Sequence, residues 1–289
     1  MKHTKLLIGA LIACMILFVL SMTAFLLSLR SLMNEPVPTS EPVQEPTAEP
    51  EPPAKEEYEY EDAELADLFL ELKQDEEINP DVKAILHFHS GLIRTPVLYS
   101  EWVNDYLYKN WETGEYRSYG SIALEPANDL ERDDQNTILY GHYVYEFRNP
   151  DRTLAFTPLA LLMKEEMYEE NRYVSLITDR DVRYYEIASV FECPLVEYEG
   201  YQVTIEGLEY NRLSYDKEYM DIFRDTIAKY EYYHTGVEFD ETDRFLTMQT
   251  CIEGKESSRE IVLCRELMRK PLDEETGEVI NDGTEREDS

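Results

Sequence analysis

Apolar positions recur along this chain in three distinct spacings. Residues 6–29, LLIGALIACMILFVLSMTAFLLSL, are apolar without a charge. At about 1.5 Å per residue this run spans a hydrocarbon layer of about 30 Å and predicts a transmembrane helix. In residues 61–76, EDAELADLFLELKQDE, Leu65, Leu68, Phe69 and Leu72 stand at i, i+3, i+4 and i+7, the stripe of an amphipathic helix. Thr157 before Pro158 has the pattern of a helix start and predicts a second helix through LALLMKEEMYEE. A third helix is predicted after Ser214, with Tyr219, Ile222, Phe223, Ile227 and Tyr230 on one face.

The remaining apolar runs are short and strand-like: 84–88, 95–99, 120–124, 136–140, 173–178, 182–191, 244–251 and 259–267. The DRD turn between the fifth and sixth suggests a hairpin. Strands follow strands without regularly alternating helices, so the fold class is mainly β with inserted helices, a closed or nearly closed eight-stranded barrel. No internal repeat is visible.

Charge sets the domain limits. Residues 35–62, EPVPTSEPVQEPTAEPEPPAKEEYEYED, hold 10 acidic residues, one Lys and half of the 14 prolines, so that 30–61 reads as an extended, self-repelling spacer. Residues 271–289, with 8 acidic residues against one Arg, read as an acidic disordered tail. The folding unit is therefore expected over 62–270, behind a short N-terminus (1–5) and the anchor (6–29). The stretch 35–62 and the tail carry −9 and −7 and the N-terminal cations +3, which leaves about −21 of the formal −34 on residues 63–270. Such a surface disfavours nucleic acid and close contact with anionic lipid. Lys2 and Lys5 before the anchor orient the N-terminus inside and the domain outside.

Candidate chemistry centres on RFLTMQTC. Period-two alternation puts Phe245, Thr247, Gln249 and Cys251 on one face and Leu246, Met248 and Thr250 on the other, with Cys251 at the strand end. The polar IEGKESS then leads into REIVLC, predicting a hairpin with a long loop whose mouth is flanked by Cys251 and Arg259. An arginine beside a cysteine favours the nucleophilic thiolate and can stabilise an oxyanion. Among His3, His87, His89, His142 and His234, only His142 in TILYGHY stands just past a strand end before a polar loop, where a catalytic base is most useful. Cys193 and Cys264 read as small buried hydrophobes, Cys14 as part of the anchor, His87 and His89 as packing residues, and His234 as a loop residue. No C-x2-C or H-x3-H pair predicts a metal, and no nucleotide-binding glycine motif is present.

TILYGH, LTMQTC and SSREIVLC, in that order behind a membrane anchor, resemble the sortases and, among them, class B. The resemblance covers about residues 62–269 and implies a closed eight-stranded barrel with an N-terminal helix and a long helix (215–230) before the cysteine strand. By position it implies Cys251 as nucleophile, His142 as general acid/base and Arg259 as oxyanion partner, with Tyr140, Gln249 and Thr250 as substrate contacts. It also implies a thioester acyl-enzyme formed on the Thr of an LPxTG- or NPxTN-like sorting signal and resolved by an amine, from a peptidoglycan precursor or a pilin lysine. No cofactor is implied. A surface-displayed binding module that has lost activity is the alternative from another class. Met248, Gln249 and Ile252 depart from the family's usual residues, and they bear on substrate preference more than on reaction type.

Overall fold

A computed structural model of the protein describes residues 58–280 except 133, 146–148, 150–151, 199–200 and 204. The expected anchor at 6–29, its flanking residues and the spacer as far as residue 57 lie outside the described residues. Among those described, no helix is long and apolar enough to cross a membrane.

Helix α1 (Asp62–Ile78) forms where the 3.6-residue stripe predicts it, and Leu65, Leu68, Phe69 and Leu72 are all buried. The strands are β1 (Val82–Phe88), β2 (Arg94–Leu98), β3 (Ile122–Leu124), β4 (Asn136–Tyr140), β5 (Tyr173–Ile177), β6 (Asp181–Pro194), β7 (Val196–Tyr198), β8 (Tyr201–Val203), β9 (Phe245–Ile252) and β10 (Lys255–Pro271). Eight of them close into a barrel in the order β1-β2-β3-β4-β9-β10-β6-β5, as the strand count predicts. β7 and β8 form a separate two-stranded ribbon that the sequence reading did not anticipate. Most barrel pairs are antiparallel, including the expected β5–β6 hairpin, whereas β2–β3 and β4–β9 are parallel.

Alternation sorts the core. Ala84, Leu86, Leu139, Leu246, Met248, Val262 and Cys264 share the interior cluster. A second cluster sets α1 against Val82, Ile85, Leu98, Ile177 and Val182. In a third, helix α4 (Lys217–Ile227) covers the outer face of β6, β9 and β10 through Met220, Phe223 and Ile227 on Phe191, Phe245, Ile261 and Leu263. At about 25 cal/mol per Å² of apolar area buried, each of these large side chains contributes on the order of 2 kcal/mol.

Local structure departs from expectation in several places. The third helix does begin after Ser214, where Asp216 caps it by accepting from the Tyr219 N–H at 2.8 Å, but this phase turns Ile222 outward at 48 % exposure. The segment from Thr157 is two short 3-10 turns (Thr157–Met163 and Glu165–Met167) followed by α3 (Tyr168–Asn171). The Thr157 hydroxyl does not cap that segment; it accepts from the Val144 N–H at 2.9 Å, and Lys164 takes an extended conformation that interrupts the run. A short helix α2 (Val103–Leu107), unforeseen, begins the excursion between β2 and β3.

Folded structure also extends past both expected domain limits. Tyr60 is buried with its hydroxyl 2.7 Å from His87 Nδ1. Leu272 bridges Val279, and Gly277 lies so close to Phe69 that a Cβ there would stand 2.4 Å from the ring. Residues 271–280 therefore pack on α1 despite their charge; 281–289 lie outside the described residues.

One inward position of β10 breaks the apolar pattern. Glu260 is fully buried opposite Thr250, and neither of its carboxyl oxygens has a hydrogen-bond partner among the described residues. Burial pushes its carboxyl up to about 8, so it is a neutral acid at pH 7. The folded protein then holds a proton that the unfolded chain releases, and stability falls as pH rises from the ordinary carboxylate range toward 8. Glu260→Gln, which keeps the shape and cannot ionise, is expected to melt several degrees above the parent chain at about pH 8 and level with it near pH 5, as thermal denaturation at the two pH values will show.

Candidate active site

Three neighbouring strands build the site. β4 and β9 run parallel as far as the Tyr140–Gln249 pair, which the Gly141 N–H helps to close by donating to the Gln249 carbonyl at 3.2 Å. His142 and Cys251 each follow that pair by two residues and so lie on the same rim of the barrel. On the other side of β9, Cys251 stands directly opposite Arg259 of β10. The three sequence candidates meet at one end of the barrel, and all three are half-buried.

Local bonds hold each of them. The His142 carbonyl accepts from the Phe156 N–H at 3.0 Å, and the adjacent Tyr143 hydroxyl donates to Glu253 at 2.8 Å in the turn that follows Cys251. Only glycine fits before His142, since a Cβ on Gly141 would stand 2.6 Å from Ile122 and 2.7 Å from Phe156. The expected long loop after Cys251 is instead a tight turn through Glu253 and Gly254, the latter at φ +75°. The polar residues Glu256, Ser257 and Ser258 form a bulge in β10. That bulge aims Arg259, whose Nη1 donates to the Glu256 and Ser258 carbonyls at 3.1 and 2.8 Å. Its remaining donors have no protein partner among the described residues and can serve an oxyanion.

Burial, opposed by a hydrogen bond to the Leu107 backbone and reinforced by the Arg259 charge, holds the His142 imidazole below its ordinary value. The ring is neutral at pH 7 and competent as a base. Its Nε2 is buried without a partner among the described residues, and the Tyr108 ring lies 5.0 Å from it, centroid to centroid.

The secondary candidates divide. Tyr140 and Gln249 flank the site, with the Tyr140 hydroxyl donating to Glu125 at 2.7 Å and the Gln249 Oε1 buried and unpartnered among the described residues. Thr250 does not join them. It faces the interior opposite Glu260 at 1 % exposure, as its place in the alternation with Leu246 and Met248 requires. Cys193 and Cys264 are fully buried, and burial raises both thiols, Cys193 to about 11. His87 is buried in packing contacts and His234 is an exposed loop residue. Leu107, Tyr108 and Glu253 escaped the sequence reading, since a carbonyl and two loop side chains carry no periodic signal. Among the described residues no cluster of His, Cys, Asp or Glu is arranged to hold a metal ion.

Sortase B of Staphylococcus aureus is 27 % identical over 197 residues, covering 67 % of this chain and 73 % of the relative. The chain is sortase-like, and class B-like among sortases. Sortase B of Clostridium perfringens superposes with a TM-score of 0.55 at 25 % identity, covering 68 % of this chain and 99 % of that one. The S. aureus sortase B–substrate complex superposes at 0.57 with 21 % identity, covering 71 % and 94 %. No family model matches the chain.

In this sortase-like site the Arg259 charge is one of the forces holding His142 neutral. Arg259→Met removes that charge and leaves the imidazole easier to protonate. The His142 ring signal in an NMR pH titration of the full-length chain is expected to titrate at higher pH in the variant, and an unchanged midpoint would show that Arg259 does not act on the ring.

Proposed function

We propose that this chain is a cysteine transpeptidase of the sortase kind, anchored by residues 6–29 with its barrel on the outer side of the membrane. The observation that carries the reading is the gathering of His142, Cys251 and Arg259 at one rim of the barrel, with Cys251 directly opposite Arg259. His142 takes the thiol proton, and the Cys251 sulfur attacks the Thr carbonyl of a sorting signal while Arg259 and backbone N–H groups receive the oxyanion. The scissile C–N bond then breaks, His142 returns the proton to the leaving amine, and a thioester remains. An incoming amine gives a proton to His142 as it forms the new amide bond, the C–S bond breaks, and the Cys251 sulfur leaves with its electron pair and recovers its proton from His142. The acceptor in this reading is a peptidoglycan-precursor amine, which would fix surface proteins to the cell wall; a pilin lysine is the other amine that the same chemistry accepts.

Gln249 bears on substrate preference. A buried acceptor without a partner gains about 1–3 kcal/mol when a ligand N–H satisfies it. An amide-bearing side chain at the start of the signal meets that need better than leucine, which supports an NPxTx-type motif over LPxTG. Incubating the full-length chain in detergent with both peptides and reading intact mass tests this. A thioester adduct is expected faster from the NPxTx peptide, absent in Cys251→Ala, reduced on the order of 100-fold or more in His142→Ala and Arg259→Ala, and converted to ligated product by added amine. Adduct that yields cleaved peptide at the same rate with and without amine would make the protein a hydrolase. No adduct from either peptide, with Cys251 inert to alkylation, would make it a binding module.

A further inference from the structure

Main-chain pairing between β4 and β9 stops just short of the reacting groups. Its last contact is the Gly141 N–H on the Gln249 carbonyl at 3.2 Å, and among the described residues no backbone bond joins the two segments beyond it. A side-chain bond follows, in which the Tyr143 hydroxyl donates to Glu253 at 2.8 Å. Gly141 and Tyr143 are the two neighbours of His142, while Gln249 and Glu253 stand two residues before and two residues after Cys251. The two bonds therefore bracket the histidine on one segment and the cysteine on the other. The segment 141–143 is two residues shorter than 249–253, and the phenol and carboxylate side chains supply the missing length. Both ends of the second bond are held. Tyr143 is 8 % exposed, with its ring edge-to-face with Tyr145 at 5.9 Å. Its main chain is tied down on either side, the His142 carbonyl by the Phe156 N–H at 3.0 Å and the Val144 N–H by the Thr157 hydroxyl at 2.9 Å. Glu253 opens the two-residue turn between the paired Ile252 and Lys255, with Gly254 at φ +75°. Lys255, the cation nearest to it in sequence, is turned to Glu192 at 2.5 Å and does not compete for the carboxylate.

We propose that Tyr143 and Glu253 are positioning residues for the His142–Cys251 couple, their bond keeping the imidazole within reach of the thiol where the strand ladder no longer does. What the role needs at 143 is the hydroxyl, since phenylalanine keeps the packing on Tyr145 and loses only the bond. What it needs at 253 is an acceptor on a side chain of that length, so glutamine serves and alanine does not. A reacting group displaced by about 1 Å can lose on the order of 100-fold in rate, which makes a contact outside the chemistry measurable in it. The kinetic part of this inference rests on the transpeptidase reading; the coupling of imidazole to thiol is read without it.

The test uses the full-length chain in detergent and two readouts. The first is the rate of Cys251 alkylation by iodoacetamide against pH, followed at that residue by peptide mass. A thiol whose proton passes to a neighbouring imidazole shows that imidazole's ionisation in its rate profile, and the inflection is expected to vanish in His142→Gln. Tyr143→Phe and Glu253→Ala should move the profile toward that of His142→Gln, and Glu253→Gln should recover most of the parent profile. The second readout is peptide turnover. In Tyr143→Phe and Glu253→Ala, kcat should fall about 10- to 100-fold with KM changed less than about twofold. The double variant should be no slower than either single one, because the two side chains act through one bond. Melting temperatures should stay within about 4 °C of the parent, the effect of one lost hydrogen bond, so that a general loss of structure is told apart from displacement. A Tyr143→Phe chain with the parent's kcat and alkylation profile would overturn the proposal. Additive losses in the double variant, or a Glu253→Gln chain as impaired as Glu253→Ala, would overturn it too, since the side chains would then act separately or through charge. If no peptide reacts, the alkylation profiles still decide the positioning role and only the transpeptidase reading falls.

Discussion

The parallel pairing of β4 with β9 is the constraint on which the rest of the structure depends. Antiparallel neighbours reverse direction, so consecutive hairpin strands put their C-terminal ends at opposite edges; only a parallel pair ends together. Here that pair delivers His142 and Cys251 to one rim of the barrel, though 109 positions of sequence separate them. The chain between β4 and β9 must return to its starting edge, and it does so by building β5, β6, the small ribbon and α4. The antiparallel β9–β10 turn then adds Arg259 on the far side of the cysteine. Three chemistries from distant parts of the chain converge because three strands are neighbours.

A packed interior surrounds that rim with several polar groups that packing alone does not explain. The Nε2 of His142, the Oε1 of Gln249, the Oγ1 of Thr250 and both carboxyl oxygens of Glu260 are buried without partners among the described residues. An unmade hydrogen bond to a buried group costs about 1–3 kcal/mol, so their concentration at one end of the barrel marks where stability is given up. His142 and Gln249 are the outward members of this set. Inward groups such as Thr250 and Glu260 lie just beneath, and Glu260 avoids the larger cost of a buried charge by staying protonated.

The acidic character of the domain acts at longer range. With about −21 formally on residues 63–270, the barrel is repelled by anionic lipid and attracts cationic groups. The buried imidazole is insulated from this general field by local causes, burial and Arg259, which push it toward neutrality.

Residue spacing by itself determined the stripe of α1, the alternation that separates Cys251 from Met248, the barrel class and the three candidate side chains that meet at its rim. These are local patterns, and periodicities of two and 3.6 are written in order along the chain. Glu260 was legible in the same way, standing in phase with Val262 and Cys264 within a buried strand. The tertiary structure decided what depends on contacts between distant segments. Thr157 reads as a helix cap until Val144 claims its hydroxyl, and the 271–280 segment reads as a tail until Gly277 meets Phe69. The close approach of Gly120 to Leu107 across a turn is likewise a matter of space that no one-dimensional pattern records.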